Sequence, residues 1–156
     1  MPSNATAKIK SAPRSFKILS GTVCVALVIA AASFVILRNQ QPSVRINGHR
    51  YTVRIADTAA LRTKGLSGTP SLPKNEGMLF VFSEASRSCF WMKDMHYSLD
   101  MIWLDANKKI VYMAQNVTPQ SFPDSFCAST PAQYVLELNA GEAKHSGMRV
   151  SQQLSF

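Results

Sequence analysis

Cysteine is scarce in this sequence: Cys24, Cys89 and Cys127 are the only three, and no two form a Cys-x-x-Cys. That absence argues against a thiol–disulfide oxidoreductase. The three histidines, His49, His96 and His145, lack the close spacing of a zinc site. No glycine-rich phosphate loop, G-x-S-x-G or H-E-x-x-H occurs. The nucleotide-binding, serine-hydrolase and zinc-protease classes that carry those motifs are therefore not indicated. No Lys/Arg cluster recurs beyond the first 43 residues, so no nucleic-acid partner is expected. There is no internal repeat and no low-complexity tract.

Acid is missing from the N-terminal end. Residues 1–43 carry Lys8, Lys10, Arg14, Lys17 and Arg38 and no Asp or Glu, so much of the net charge of +8 belongs there. Residues 1–17 are polar and basic and read as a cytoplasmic tail. Ile18–Leu37 is a 20-residue stretch without charge. At about 1.5 Å per residue it matches a bilayer hydrocarbon core of about 30 Å. Four basic residues precede it and one follows, so the positive-inside rule keeps the N-terminus in the cytoplasm. Residues 39–156 then lie outside. The competing reading is a cleaved signal peptide, with Ala30-Ala31-Ala32 as the small-x-small site. Because Phe34–Leu37 prolongs the apolar run past that site, an uncleaved signal anchor is the expectation. Bulky Val23 before Cys24 argues against a lipid anchor there. Residues 38–43 read as a linker, and 44–156 as one extracytoplasmic domain.

Within that domain, Val44–Ile46, Asn47-Gly48 and His49–Ile55 predict a β-hairpin, since Asn-Gly suits a two-residue turn needing positive φ twice. Tyr51, Val53 and Ile55 alternate with polar residues, which predicts one buried face. Asp57 is the expected N-cap of a helix over Thr58–Lys64 that Gly65 stops. Ser67–Asn75 reads as a loop. Gly77–Phe82 is apolar throughout, as a strand covered on both faces should be. Further strands are expected at Cys89–Met92, Leu99–Leu104, Lys109–Ala114, Gln133–Leu138 and Val150–Phe156, with a loop over Asn116–Pro131. Asn139 with Glu142 resembles a capping box opening a second helix, Ala140–Ser146. The fold expected is mainly β: a compact small β-barrel or sandwich with two short helices, preceded by one transmembrane helix.

The domain centres on Cys89–Leu104, a dense apolar run with both tryptophans, interrupted by Lys93, Asp94 and Asp100. Cys89 and Cys127 are the only cysteines outside the apolar span, and outside the cytoplasm such a pair is expected to oxidise. Asp100, among Leu99, Met101, Ile102 and Trp103, could be a carboxyl tuned for acid–base work. It could instead accept backbone N–H bonds from the preceding loop, or pair with Lys93 or an arginine. An unpartnered buried charge costs several kcal/mol, so pairing is expected. Asp94 is expected at a solvated turn. Trp91 and Trp103 could form an aromatic platform or pack in the core. Met92, Met95 and His96 form an M-x-x-M-H cluster of soft donors suited to Cu(I), but methionine also fills irregular cores, and no metal or cofactor is assigned.

Gly65-Leu66, Glu76–Phe82, Phe90–Lys93, Leu99–Trp103 and Tyr134–Gly141, taken in this order, resemble Domain of Unknown Function 192. The resemblance covers about residues 44–156 and implies a compact β-barrel-like, extracytoplasmic domain, with no activity attached. This chain departs from the family pattern at Ser67, at Asp94-Met95 and at Arg149 and Ser151. The function expected is binding, to an envelope component or an exported protein. Its site would group Trp91, Lys93, Asp94, Asp100, Glu137 and Asn139. The alternatives are an envelope hydrolase using a carboxylate pair from Asp94, Asp100 and Glu137, and a non-catalytic scaffold.

Overall fold

A computed structural model of the protein describes residues 21–39 and 41–156. The expected cytoplasmic tail, the first three residues of the expected span and Gln40 of the linker lie outside the described residues. The chain divides into two units, residues 1–40 and 41–156. In the first, Gly21–Asn39 forms helix α1. Its sequence is apolar on all sides from Val23 to Leu37, apart from Ser33. Among the described residues no helix is long and apolar enough to cross a membrane, so the expected membrane-crossing helix is not found within them.

The second unit begins with the predicted hairpin. Strand β1 (Ser43–Ile46) pairs antiparallel with β2 (His49–Ala56). The turn residues Asn47 and Gly48 have φ of 48° and 81°, as a two-residue turn of this kind requires. Helix α2 (Ala59–Lys64) starts one residue later than expected. Its N-cap is Thr58, whose Oγ1 accepts the Leu61 N–H at 3.2 Å, and not Asp57. Gly65, at φ 49°, ends it as expected. The chain then enters β3 (Glu76–Ser86), parallel to β2. A parallel pairing needs a crossover, and residues 57–75 supply it.

Strand β4 (Cys89–Trp91) leads through a turn to β5 (Leu99–Leu104), which pairs with β6 (Ile110–Val117). Strand β7 (Ser125–Cys127) lies inside the stretch expected to be a loop. Strand β8 (Ala132–Asn139) pairs with both β3 and β5. Helix α3 (Glu142–His145) follows. The result is a six-stranded mixed sheet, β1-β2-β3-β8-β5-β6, plus a two-stranded ribbon, β4-β7. Its β content is as expected, but the barrel or sandwich is not. The sheet is open, with β1 and β6 at its edges. The C-terminal segment expected as a closing strand makes only isolated bridges, Arg45 with Ser155 and Lys109 with Gln153. A turn at Arg149–Gln152, with Ser151 at φ 77°, interrupts the extended run that closure would need.

Both faces of the sheet are covered. Met78, Phe80, Met101, Trp103 and Val135 belong to one core cluster, with Leu66, Leu72, Met92 and Met95 over them. Leu79, Ile102, Leu104, Leu136 and Leu138 belong to the other, with Ala143, Met148 and Leu154. This double cover buries all six residues of β5 and explains its nearly unbroken apolar sequence. Gly77 on β3 pairs with Leu138 on β8. A Cβ there would stand 2.6 Å from the Glu137 carbonyl oxygen and 2.7 Å from Leu138 Cδ2. Gly77→Ala is therefore expected to destabilise the domain by about 1–3 kcal/mol, read as a lower denaturant midpoint.

Candidate functional site

The β4–β7 ribbon is closed by a disulfide between Cys89 and Cys127, which face each other in the register. It joins residues 38 apart in sequence and ties the Pro-rich segment to the ribbon. Constraining the unfolded chain this way is worth about 4 kcal/mol in the entropy model. Reduction is accordingly expected to lower the melting temperature of wild type and to leave a Cys89→Ser/Cys127→Ser variant unchanged.

Beside the ribbon, a cavity of about 390 Å³ opens against the sheet. Strand β3 contributes Phe80 and Phe82, and β4 contributes Phe90 and Trp91. Helix α2 brings Arg62 and Lys64, the segments after α2 and β4 add Leu66 and Met95, and β8 adds Glu137. Arg62 is held in place: its guanidinium donates to the carbonyls of Asp57 (2.6 Å) and Val81 (2.9 Å) and lies 5.2 Å from the centre of the Phe82 ring. The walls are thus aromatic and part of the lining is basic.

Glu137 is the polar group that this surrounding does not satisfy. It is 5% exposed, only burial and no hydrogen bond or ion pair acts on its carboxyl among the described residues, and since no fully enclosed side-chain oxygen there lacks a partner, its oxygens touch the open space of the cavity. Burial alone pushes its pKa up to about 8, so at neutral pH it is mostly a protonated acid. Such a group can donate a hydrogen bond to a ligand, or give up its proton to face a cation.

The other predicted residues have different roles. Asp100 is fully buried and fully used: Oδ1 accepts the Asn116 N–H and Oδ2 the Ala143 N–H, both at 2.8 Å. It caps the first turn of α3 from a neighbouring strand, so it does accept backbone N–H bonds, but from β6 and α3 and not from the loop before β5 as expected. Asn139 does not form the expected capping box. Its amide donates to the carbonyls of Leu72 (2.9 Å) and Pro73 (3.3 Å), and Gly141 is the N-cap of α3. Glu142 instead accepts from the Tyr51 hydroxyl at 3.0 Å. Lys93 and Asp94 are exposed on the turn after β4, where their carbonyls accept from Ser67 Oγ and the Gly68 N–H.

Of the six predicted site residues, the cavity brings together Trp91 and Glu137. The tryptophans part company: Trp91 is 55% exposed, while Trp103 is buried, with its Nε1–H on the Ser88 carbonyl. Asp100 lies opposite Leu138 and Glu137 opposite Met101, so the two carboxyls project from opposite faces of the sheet and cannot act as a pair. In the M-x-x-M-H cluster, Met92 and Met95 are buried and His96 is exposed. Among the described residues no three His, Cys, Asp or Glu side chains are grouped to hold a metal. Arg62, Lys64 and the Phe80–Phe82 wall were not legible as site residues. Their one signal was the pair of phenylalanines at i and i+2 on a strand, which places both on one face.

No curated protein matches the chain. Solved structures similar to this chain include two with a TM-score of 0.68. One is a protein of unknown function from Novosphingobium aromaticivorans DSM 12444, with 27% sequence identity and a TM-score of 0.68 over 73% of this chain and 84% of that one. The other is a "putative transcription regulator" from Sinorhizobium meliloti 1021, with 32% identity and a TM-score of 0.68 over 72% of this chain and 91% of that one. The profile of DUF192, described as "Uncharacterized ACR", matches residues 42–156. The expected resemblance therefore holds over all but the first residue of the second unit, and the chain belongs to the DUF192 family.

Proposed function

We propose that this protein is a membrane-anchored binding module. Ile18–Leu37 holds it in the membrane with the N-terminus in the cytoplasm, and the DUF192 domain faces the other side. The cavity beside the disulfide ribbon receives a component of the cell envelope or a segment of an exported protein. The observation that carries this reading is Glu137, a buried carboxyl without a partner, facing a cavity with aromatic walls. An acid in that environment destabilises a fold, and a ligand that bonds to it offsets the cost.

Three further observations support the reading. Trp91 keeps more than half its surface exposed where it lines the cavity, and Phe122 packs against it edge-on. A disulfide fits an oxidising compartment. On α1, the side chains of Val25, Leu27, Val28 and Ile29 are exposed, and a bilayer would cover them.

The test is a thermal-shift screen of the full chain in detergent, as wild type and Glu137→Gln, against cell-wall fragments, simple sugars, peptides and metal ions. A ligand at a hundred times its dissociation constant adds about 2.7 kcal/mol. The expected result is a hit that Glu137→Gln weakens or abolishes. Hits of equal size in both proteins would move the binding site away from this cavity.

A further inference from the structure

The cavity has two polar ends, and strand β3 measures the distance between them. Glu137 lies opposite Met78 in the β3–β8 register. Phe80 and Phe82 follow Met78 at alternate positions, and Phe82 packs against the core cluster that holds the other two. The Arg62 guanidinium stands 5.2 Å from the centre of the Phe82 ring. Met78 and Phe82 are four residues apart, roughly 13 Å along a strand. The acid therefore marks one end of an aromatic floor and the guanidinium the other. Between them Phe90 meets Phe80 edge-on at 4.8 Å, and Trp91 adds a half-exposed ring to the lining.

The two ends differ in charge. Both hydrogen bonds of the Arg62 guanidinium use Nη1, so Nη2 and Nε have no partner among the described residues. Lys64 is exposed, and its ammonium forms no hydrogen bond or ion pair among them either. Glu137 is the one acid among the described lining residues, and at neutral pH it is mostly protonated. One end of the lining is thus positive, and the other is a neutral hydrogen-bond donor. We infer that the cavity takes the C-terminal end of an extended peptide with an apolar last residue. The peptide carboxylate faces Arg62 and Lys64, its last side chain packs among Phe80, Phe90 and Trp91, and an upstream amide carbonyl accepts from Glu137. The inference rests on the reading of this cavity as the binding site and names its occupant.

Complementarity selects this occupant. A guanidinium held at one nitrogen still offers N–H groups to a carboxylate, and a charge-assisted bond of that kind is stronger than a neutral one. A fatty acid has the carboxylate and the apolar body but no acceptor for Glu137. A simple sugar has acceptors but neither the charge nor the apolar end. A peptide C-terminus has all three. Its carbonyls recur about every 3.4 Å in extended chain, so one about three residues upstream falls near the acid. Size agrees with a chain end: at about 390 Å³ the cavity lies at the lower end of ligand pockets, with no room for a folded partner.

The experiment is a calorimetric titration of the full, disulfide-bonded chain in detergent, with micelles alone as the blank. The probes are acetyl-alanyl-alanyl-phenylalanine as the free acid, the same peptide as its C-terminal amide, and octanoate. The acid is expected to bind about tenfold or more tighter than the amide. Arg62→Gln and Lys64→Gln should each lower the affinity for the acid toward that for the amide and leave the amide unchanged, a pattern that misfolding would not give. Lys64 is exposed, so Lys64→Gln keeps the test open where Arg62→Gln fails to fold. Glu137→Gln should weaken acid and amide alike. Octanoate should bind more weakly than the peptide acid and be indifferent to Glu137→Gln. Equal binding of acid and amide, an acid preference unchanged in both cation variants, or octanoate as tight as the peptide would each overturn the inference. If neither peptide form binds while another ligand gives a Glu137-dependent thermal shift, the peptide assignment falls and the binding-module reading stands. If every ligand fails, both fall.

Discussion

The domain is expected to lose stability steadily as pH rises from about 4.5 to about 8, and a Glu137→Gln variant is expected not to share that loss. The Glu137 carboxyl is held at about 8 in the folded chain by burial, against 4.5 as its ordinary value. Below pH 4.5 it is protonated in both folded and unfolded chains and contributes no pH dependence. Between the two values the unfolded chain ionises while the folded chain keeps its proton, which favours unfolding. Above pH 8 both forms are ionised and the loss levels off. At about 1.4 kcal/mol per pKa unit, the full loss is on the order of 5 kcal/mol. An amide in the same place cannot ionise. The measurement is denaturant unfolding at half-unit pH steps for both proteins, comparing slopes so that any fixed cost of burying the amide cancels. Parallel curves would mean that Glu137 keeps an ordinary pKa in the fold, either solvated or already paired.

The second large effect belongs to Asp100. Asp100→Ala is expected to cost about 3–5 kcal/mol, because it strips two backbone N–H groups, those of Asn116 and Ala143, of their acceptor at once. The Ala143 bond is fully buried, so water cannot readily replace the lost carboxylate. Asp100→Asn should cost less, since its one carbonyl oxygen can still accept while its NH₂ faces a donor. Circular dichroism melts of the three proteins at neutral pH check this order. A melting temperature for Asp100→Ala within a degree or two of wild type would show that the carboxylate is not what holds α3 against β5.

These two carboxyls show what the sequence could reveal and where it stopped. Asp100 was legible as a charge interrupting an apolar run, whereas Glu137 was named only as a candidate near the end of its strand. Local sequence cannot say which face of the sheet either one occupies, because that depends on how β8 registers against β5. Asp100 meets Leu138 and Glu137 meets Met101, and this offset separates a structural cap from a cavity group. At two turns the local signal held, although the N-cap of α2 fell on Thr58 and not on Asp57. Asn47-Gly48 forms its turn because two positive φ angles come cheaply to those residues, and Gly65 ends α2 for the same reason. The cysteine pair was likewise legible from composition and compartment, and the disulfide is present.

The other failures are long-range. Strand β7 is three residues long, too short to leave a periodic pattern, and it exists because β4 pairs with it across the disulfide. Asn139 has the composition of a cap, but the loop ending at Leu72-Pro73 lies within reach of its amide and takes both donor bonds. Barrel closure failed for a comparable reason. The tail reaches both edges of the sheet, yet the turn at Arg149–Gln152 leaves too little extended chain to bond along either.

The central claim is that Glu137 is an unpartnered acid facing a ligand cavity. The most direct measurement is an NMR titration of the full chain in micelles, with glutamate labelled at the side-chain carboxyl carbon and Glu137 assigned by its loss in Glu137→Gln. The account predicts a carboxyl that titrates near 8, well apart from the other glutamates. A Glu137 signal that titrates with the rest, near 4.5, would contradict it, because a carboxyl with an ordinary pKa is either solvated or already paired.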